Sequence, residues 1–97
     1  MSARNHDLLG LKFCYQVAMV LIRYRLMYGQ AEVKQVDVYG ELGISRQCFQ
    51  QHMLNIRKVA LLEMLGISIR KESYGNVFSI DMKRFGEYTD KMNHNLK

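Results

Sequence analysis

The sequence has no proline, and only two of its 97 residues are cysteine. Because no proline interrupts the chain, no helix in it is forced to break. The two cysteines, Cys14 and Cys48, are too few for a disulfide scaffold, so we expect reduced thiols in a cytoplasmic protein. The first seven residues are polar and include an acid, unlike a secretion signal. The longest uncharged apolar run, residues 13–22, is shorter than the roughly 20 residues that cross a bilayer, so we expect no membrane span.

Acidic residues are also scarce. Nine aspartates and glutamates stand against 14 lysines and arginines, which gives a net charge of +5 and a pI of about 9.4. This excess favours a polyanionic partner, because each neutralised phosphate releases counterions, although ordinary solubility would also account for it. Hydrophobic residues make up 48% of the chain, enough for a single domain, residues 1–97, with a core of its own.

Residues 8–28 form the longest predicted element, a helix that Asp7 caps and Gly29 ends. Its polar side chains fall on one narrow stripe, and nearly all its other positions are apolar, whereas a surface helix normally has a single apolar face. The surplus is either wrapped on two sides within the fold or covered by a second copy of the chain. We favour the second copy. The expected homodimer interface consists of four residues on this helix: Tyr15, Met19, Ile22 and Leu26.

The rest of the chain shows helical and extended patterns separated by glycines and polar residues. These patterns predict a loop or a helix start at 30–35 and a short helix at 36–42. Residues 46–65 are predicted to form either one long helix or two helices with a bend near Asn55. A β-hairpin is predicted at 67–81 around a Gly75–Asn76 turn, followed by a last helix at 82–93. In the hairpin, alternation directs four side chains towards the core: Ile67, Ile69, Phe78 and Ile80. The predicted fold is therefore mainly α with a β-hairpin.

The most informative segment covers residues 38–53. A short helix ends at Gly43, where a tight turn requires a left-handed backbone that glycine adopts readily. Ile44 then fills the gap between two helices, and Ser45 caps the second helix. This pattern resembles the helix-turn-helix motif of bacterial regulators, and it is carried by the run Leu-Gly-Ile-Ser-Arg at 42–46 together with Phe49 and Met53.

The resemblance implies that the second helix of the motif enters the major groove of double-stranded DNA. Its inner side would be formed by Phe49, His52 and Met53. Four residues on its outer side would contact bases: Arg46, Gln47, Gln50 and Gln51. Arginine can bind guanine through two hydrogen bonds, and glutamine can bind adenine in the same way. The motif usually has a small residue where Tyr39 lies, so we expect the first helix to rotate slightly.

A hairpin that follows the motif is the order of elements in winged-helix proteins, which the chain also resembles. That resemblance implies a winged helix-turn-helix whose hairpin, the wing, contacts the DNA backbone. Seven residues would make such backbone contacts: Ser45, Arg57, Lys58, Arg70, Lys71, Tyr74 and Asn76. For Arg57, Lys58 and the hairpin residues, simple exposure to solvent is an equally good interpretation.

Cys48 and His52 are four residues apart on a predicted helix, a spacing that also suits metal ligands. A zinc site needs about two further ligands, and the remaining candidates, Cys14, His6 and His94, are distant in sequence. As a nucleophile and base, the pair lacks a third group to orient it. We therefore expect no metal, no cofactor, no small-molecule ligand and no enzymatic activity.

Three functions fit these patterns. We favour a homodimeric transcriptional regulator that binds specific double-stranded DNA in the bacterial cytoplasm, in association with the nucleoid. The first alternative is a protein-binding module on the same fold, such as an anti-repressor, a phage-type inhibitor or an adaptor, with the first helix as its contact surface. The second is a plasmid or phage replication or partition factor, which would share the DNA-binding chemistry.

Overall fold

A computed structural model describes the backbone of residues 3–95 and the side chains of residues 10–92. Within these residues the elements follow one another as α1 (Ala3–Tyr28), β1 (Glu32–Lys34), α2 (Gln35–Leu42), α3 (Arg46–Met53), α4 (Ile56–Met64), β2 (Ile67–Glu72), β3 (Gly75–Ile80) and α5 (Met82–Asn95). The protein is thus mainly helical with a small antiparallel sheet, although the sheet has three strands where the sequence predicted two. In this part of the chain no helix is both long enough and apolar enough to cross a membrane.

Helix α1 is longer than predicted at its start. It begins at Ala3, so Asp7 lies inside the helix and the predicted cap at Asp7 is wrong. Its end agrees with the prediction, because the N–H of Gly29 donates to the carbonyl oxygen of Arg25 at 3.0 Å and closes the last turn.

The apolar surplus of α1 is largely covered inside the fold, because the helix packs against α2, α4 and the sheet. Its buried side chains are Phe13, Cys14, Val17, Ala18, Val20 and Leu21. The stripe that stays exposed consists of Lys12, Gln16, Met19 and Arg23. Of the two alternatives, wrapping within the fold therefore holds for the middle of α1. Its last turn is different, since Leu26, Met27 and Tyr28 remain exposed.

The three strands pair in the order β1-β3-β2, all antiparallel. Phe78 on the central strand pairs with Val33 on one side and Ile69 on the other, so apolar side chains line the face that covers the helices. Of the predicted core residues, Ile67, Phe78 and Ile80 are buried and Ile69 is half-buried. The hairpin turn is formed by residues 73–74, whereas the predicted Gly75–Asn76 turn lies inside the paired register.

The segment at 46–65, for which the sequence left one helix or two, is two helices. The break falls at Asn55, whose Oδ1 accepts hydrogen bonds from the backbone N–H groups of Arg57 and Lys58 at 3.0 and 3.2 Å. An asparagine in this position satisfies donors at the start of a helix and so sets the beginning of α4. The last helix, α5, continues through Gly86 without interruption.

Candidate nucleic-acid interface

The turn between α2 and α3 has the geometry that the sequence predicted. Gly43 adopts the left-handed conformation, with φ 70° and ψ 27°, which costs a residue with a Cβ atom more than it costs glycine. Ile44 is half-buried against the core. Ser45 caps α3, because its hydroxyl accepts the backbone N–H of Cys48 at 3.1 Å.

Phe49 anchors the inner side of α3. Its side chain is 1% exposed and lies among three aromatic rings, Phe13, Tyr39 and Phe78, with ring centres 5.7–6.0 Å away. Tyr39, which departs from the usual small residue, therefore becomes a packing partner of α3. Aromatic rings at such separations contribute beyond the area they bury. The inner side of the helix is fixed by the core.

The outer side of α3 carries the four predicted base-contacting residues, Arg46, Gln47, Gln50 and Gln51, and all four are exposed. No described residue forms an ion pair with Arg46. Residues 42–62 contain three lysines or arginines and no aspartate or glutamate. This surface, which we call the α3 face, can therefore present hydrogen-bonding groups and positive charge without a neighbouring carboxylate in its own segment.

Lys58, a predicted phosphate contact, is half-buried, and its ammonium is engaged within the chain. Its Nζ donates to Nδ1 of His52 at 2.8 Å and lies 5.8 Å from the ring centre of Phe13, on which His52 stacks at 4.0 Å. Burial and then the neighbouring ammonium hold the pKa of His52 below its ordinary value of 6.5. His52 faces inward, as predicted, and accepts this bond in its neutral form. One of the three N–H donors of Lys58 is thereby used within the chain, and its phosphate contact stays a prediction.

Arg70 is likewise engaged, on the outer side of the sheet. Its guanidinium pairs with Glu32 on β1 through two nitrogens, and its Nε lies 2.5 Å from Glu72 Oε2. The hydrogen bond from Arg70 lowers the pKa of the Glu32 carboxyl, and the two carboxylates raise that of Arg70. A DNA phosphate would have to compete with both carboxylates for this arginine.

The other hairpin residues that were predicted to contact DNA differ in their surroundings. Lys71 is exposed, and so is Tyr74, whose ring centre lies 5.1 Å from the Nζ of Lys34. Lys34 was not predicted as a site residue, because β1 has only three residues and residues 30–35 were predicted to be a loop or a helix start. The alternation of polar, apolar and polar residues at Glu32, Val33 and Lys34 could have indicated this strand, in which only Val33 is buried.

Gln35 holds the tip of the hairpin against the start of α2. Its Oε1 accepts the backbone N–H of Asn76 at 3.2 Å, and its side chain lies against Gly75. Gly75 has φ 124°, and a Cβ there would be 2.7 Å from Nε2 of Gln35, so a larger residue would be strained and would displace the Gln35 side chain. Asn76 is half-buried as a result, and the hairpin is fixed relative to α2. The sequence analysis did not identify Gln35.

Arg57, a predicted phosphate contact, is exposed in the first turn of α4, directly after the Asn55 cap.

The four residues predicted for a dimer interface divide into two pairs. Tyr15 and Ile22 are half-buried and pack against the core, with Tyr15 edge-on to Phe85, whereas Met19 and Leu26 are exposed.

Neither cysteine forms a disulfide in the structure. Cys14 is buried, its Sγ donates to the carbonyl oxygen of Lys58, and burial raises the pKa of its thiol to about 11. Cys48 is exposed on α3. Among the described residues, no three histidines, cysteines or acids come together in a way that could hold a metal ion.

No family model, no curated protein and no solved structure is detectably similar to this chain.

Proposed function

We propose that the protein is a winged helix-turn-helix regulator of transcription that binds specific double-stranded DNA, with α3 in the major groove. The observation that carries the proposal is the α3 face, where one arginine and three glutamines are exposed on a helix that Phe49 anchors from beneath. The site of action would be DNA in the bacterial cytoplasm, in association with the nucleoid.

The dimensions and chemistry of the α3 face suit this role. The helix has eight residues, which corresponds to a length of about 12 Å. The major groove is about 12 Å wide and offers acceptor pairs on guanine and a donor with an acceptor on adenine. Arg46 would contact guanine, and Gln47, Gln50 and Gln51 would contact adenine. No carboxylate within residues 42–62 opposes the phosphates on either side of the groove.

The hairpin supports the proposal as the wing. Lys71 and Tyr74 are exposed near its turn, and the neighbouring strand adds Lys34 beside them. Contacts from such residues to phosphates would position the protein without reading sequence. Because Gln35 fixes the hairpin to α2, wing and α3 would meet DNA in one arrangement.

We further propose that two copies associate through the end of α1. Leu26, Met27 and Tyr28 are each at least 65% exposed, and Met19 lies exposed two turns earlier. Apolar groups concentrated at one end of a helix are typical of contact surfaces. A symmetric dimer would place two α3 helices about 34 Å apart and would require a roughly palindromic DNA site.

The proposal is tested by selecting duplexes from a random-sequence library and measuring affinity by fluorescence anisotropy at several salt concentrations. The expected result is an enriched, roughly palindromic sequence that binds more tightly than a scrambled duplex, with affinity that falls as salt rises. Equal binding of selected and scrambled duplexes would contradict sequence-specific recognition, and absence of binding at low salt would exclude DNA as the partner.

Cys48 provides an independent measurement on the same complex. Because its thiol is exposed on α3, bound DNA should slow its alkylation by iodoacetamide. Cys14 serves as the internal control, since it is buried and should resist alkylation with or without DNA. An unchanged rate at Cys48 in saturating DNA would mean that the DNA lies elsewhere on the protein.

A second candidate function, binding of another protein, is favoured by the exposed end of α1. In that case Leu26, Met27 and Tyr28 would contact a different protein rather than a second copy. Sedimentation separates the two: a dimer whose dissociation constant rises in Leu26→Ala supports self-association, whereas a monomer at all concentrations favours a different partner. A replication or partition factor would give the same results on DNA and would differ only in where its site lies.

A further inference from the structure

The junction between α3 and α4 carries an apolar surface that the proposed contacts leave unused. Of the large hydrophobic side chains that the structure describes, Ile56 and Leu54 are the two most exposed, at 85% and 76%. They flank Asn55, the cap of α4, so both side chains stand where the chain turns. Large apolar groups left this exposed are candidates for contact with a partner.

Leu54 belongs geometrically to α3. Its backbone is in the right-handed helical region, with φ −80° and ψ −12°, and its N–H donates to the carbonyl oxygen of Gln50 at 3.0 Å. In a helix, residues three, four and seven positions apart share a side. Leu54 therefore lies on the same side as Gln51, Gln50 and Gln47, while Phe49 and Met53 point inward. It continues the α3 face with an apolar group.

The length of α3 allows all of these side chains to reach one groove. Seven residues separate Gln47 from Leu54, which is about 10 Å along the helix and corresponds to about three base pairs along the groove. The apolar group that the major groove offers is the C5 methyl of thymine, and aliphatic side chains contact it.

The charge around the junction favours DNA over a second copy as the occupant. Arg46 lies on the same helix as Leu54, no described residue forms an ion pair with it, and residues 42–62 contain no acid. A symmetric contact between two such junctions would bring like charges together without any carboxylate from this segment to balance them. Phosphates on either side of a groove would balance the charge of Arg46.

We propose that Leu54 reads thymine, by packing against its C5 methyl group about three base pairs from the base that Gln47 contacts. This inference depends on the proposed placement of α3 in the major groove. It adds a hydrophobic determinant to hydrogen-bonded recognition and requires a thymine at a fixed position in each half-site.

The test uses the tightest duplex from the random library, resynthesised with uracil in place of one thymine at a time. Uracil keeps the hydrogen-bonding groups of thymine and lacks only the methyl. At one thymine per half-site we expect the substitution to weaken binding about four-fold, the effect of one buried methyl-sized group. Leu54→Ala should weaken binding of the thymine duplex and remove the difference between thymine and uracil.

Two control variants separate Leu54 from other exposed apolar residues. Ile56→Ala should keep the thymine–uracil difference, because Ile56 begins the next helix. Met64→Ala, which changes a 53% exposed side chain at the far end of α4, should leave both affinity and the difference unchanged. Since Leu54 is so exposed, its replacement should not unfold the protein, and a thermal melt checks this.

The outcomes distinguish this inference from the proposed function. Sequence-specific binding with no thymine–uracil difference would overturn the role of Leu54 and leave the regulator proposal standing. A difference that persists in Leu54→Ala would assign the methyl contact to another residue. Loss of dimerisation in Leu54→Ala would identify the junction as a contact between copies, and failure to bind any duplex would overturn both proposals.

Discussion

Two exposed surfaces carry arginines that the sequence assigned to DNA, and they are held in place in opposite ways. The α3 face is fixed from beneath by the buried Phe49, and no described residue forms an ion pair with its Arg46. On the outer side of the sheet, Arg70 is paired with Glu32 and Glu72. One surface is positioned by apolar packing, and the other holds its positive charge in internal ion pairs.

The difference shows that exposure alone does not make a cation available to DNA. Arg70 and Arg46 are both exposed, yet a phosphate at Arg70 would have to compete with two carboxylates. On the α3 face the groups that hold the helix and the groups offered to a partner are on opposite sides. We therefore expect changes beneath α3 to affect stability and changes on its outer side to affect binding.

The largest effect is expected for Phe49→Ala. Removing a fully buried aromatic ring leaves a cavity between Phe13, Tyr39 and Phe78, and such changes cost about 3–5 kcal/mol of unfolding free energy. Urea denaturation followed by circular dichroism measures it. Gln50→Ala on the outer side is the matched control and should change stability by less than about 0.5 kcal/mol. A cost below about 1 kcal/mol for Phe49→Ala would mean that α3 is not anchored as described.

The next effect concerns DNA affinity and sets Arg46→Ala against Arg70→Ala. If Arg46 contacts guanine in two ways, its loss should cost about 1–3 kcal/mol, a five-fold to 150-fold weaker Kd on the selected duplex. Arg70→Ala should cost less than about 1 kcal/mol, because its guanidinium is already paired. Anisotropy titrations at one salt concentration give both values. An equal loss of DNA affinity in the two variants, or a larger loss in Arg70→Ala, would contradict the proposed difference between the two surfaces.

The contrast also shows which features of the structure can be predicted from the sequence. The turn at Gly43, the cap at Ser45, the burial of Phe49 and the exposure of the glutamines follow from neighbours within one or two helical turns, and all were predicted. The pairing of Arg70 with Glu32 was not, because it joins residues 38 positions apart through a strand of only three residues.

Burial inside α1 was hard to predict for a related reason. Tyr15 and Ile22 were assigned to a dimer because a single helix cannot reveal which elements pack on it from elsewhere in the chain. In the fold Tyr15 meets Phe85 of α5, which is 70 residues away in sequence. Local patterns predict a residue's environment well only when its partners are also local.

A smaller effect is expected from Glu32→Gln, which sharpens the comparison by freeing Arg70. Glu32 pairs with the two terminal nitrogens of Arg70, whereas Glu72 pairs with its Nε. With Glu32 neutral, these terminal nitrogens should become available to phosphate, so affinity for any duplex should rise a few-fold. The slope of log affinity against log salt should steepen by about 0.9, the value for one added phosphate contact. Glu87→Gln on α5 changes the net charge equally without touching Arg70. If both variants behave alike, the effect is one of net charge and Arg70 stays off the DNA.

The smallest effect is expected on the inner side of α3, at His52. Because burial and Lys58 lower its pKa in the folded state below 6.5, the unfolded chain binds a proton more readily. The stabilising contribution of neutral His52 is therefore complete above pH 6.5 and is lost as the pH falls through the lower folded pKa.

The urea midpoint should fall slightly over that range, and His52→Gln should remove this part of the pH dependence. Glu32 also has a lowered pKa, and its stabilisation is lost as the pH falls below its ordinary value of 4.5 through the lower folded pKa. Lys58→Met should remove only part of the His52 effect, because burial is the larger cause. If it removed all of the effect, the pKa of His52 would be lowered by the charge of Lys58 rather than by burial.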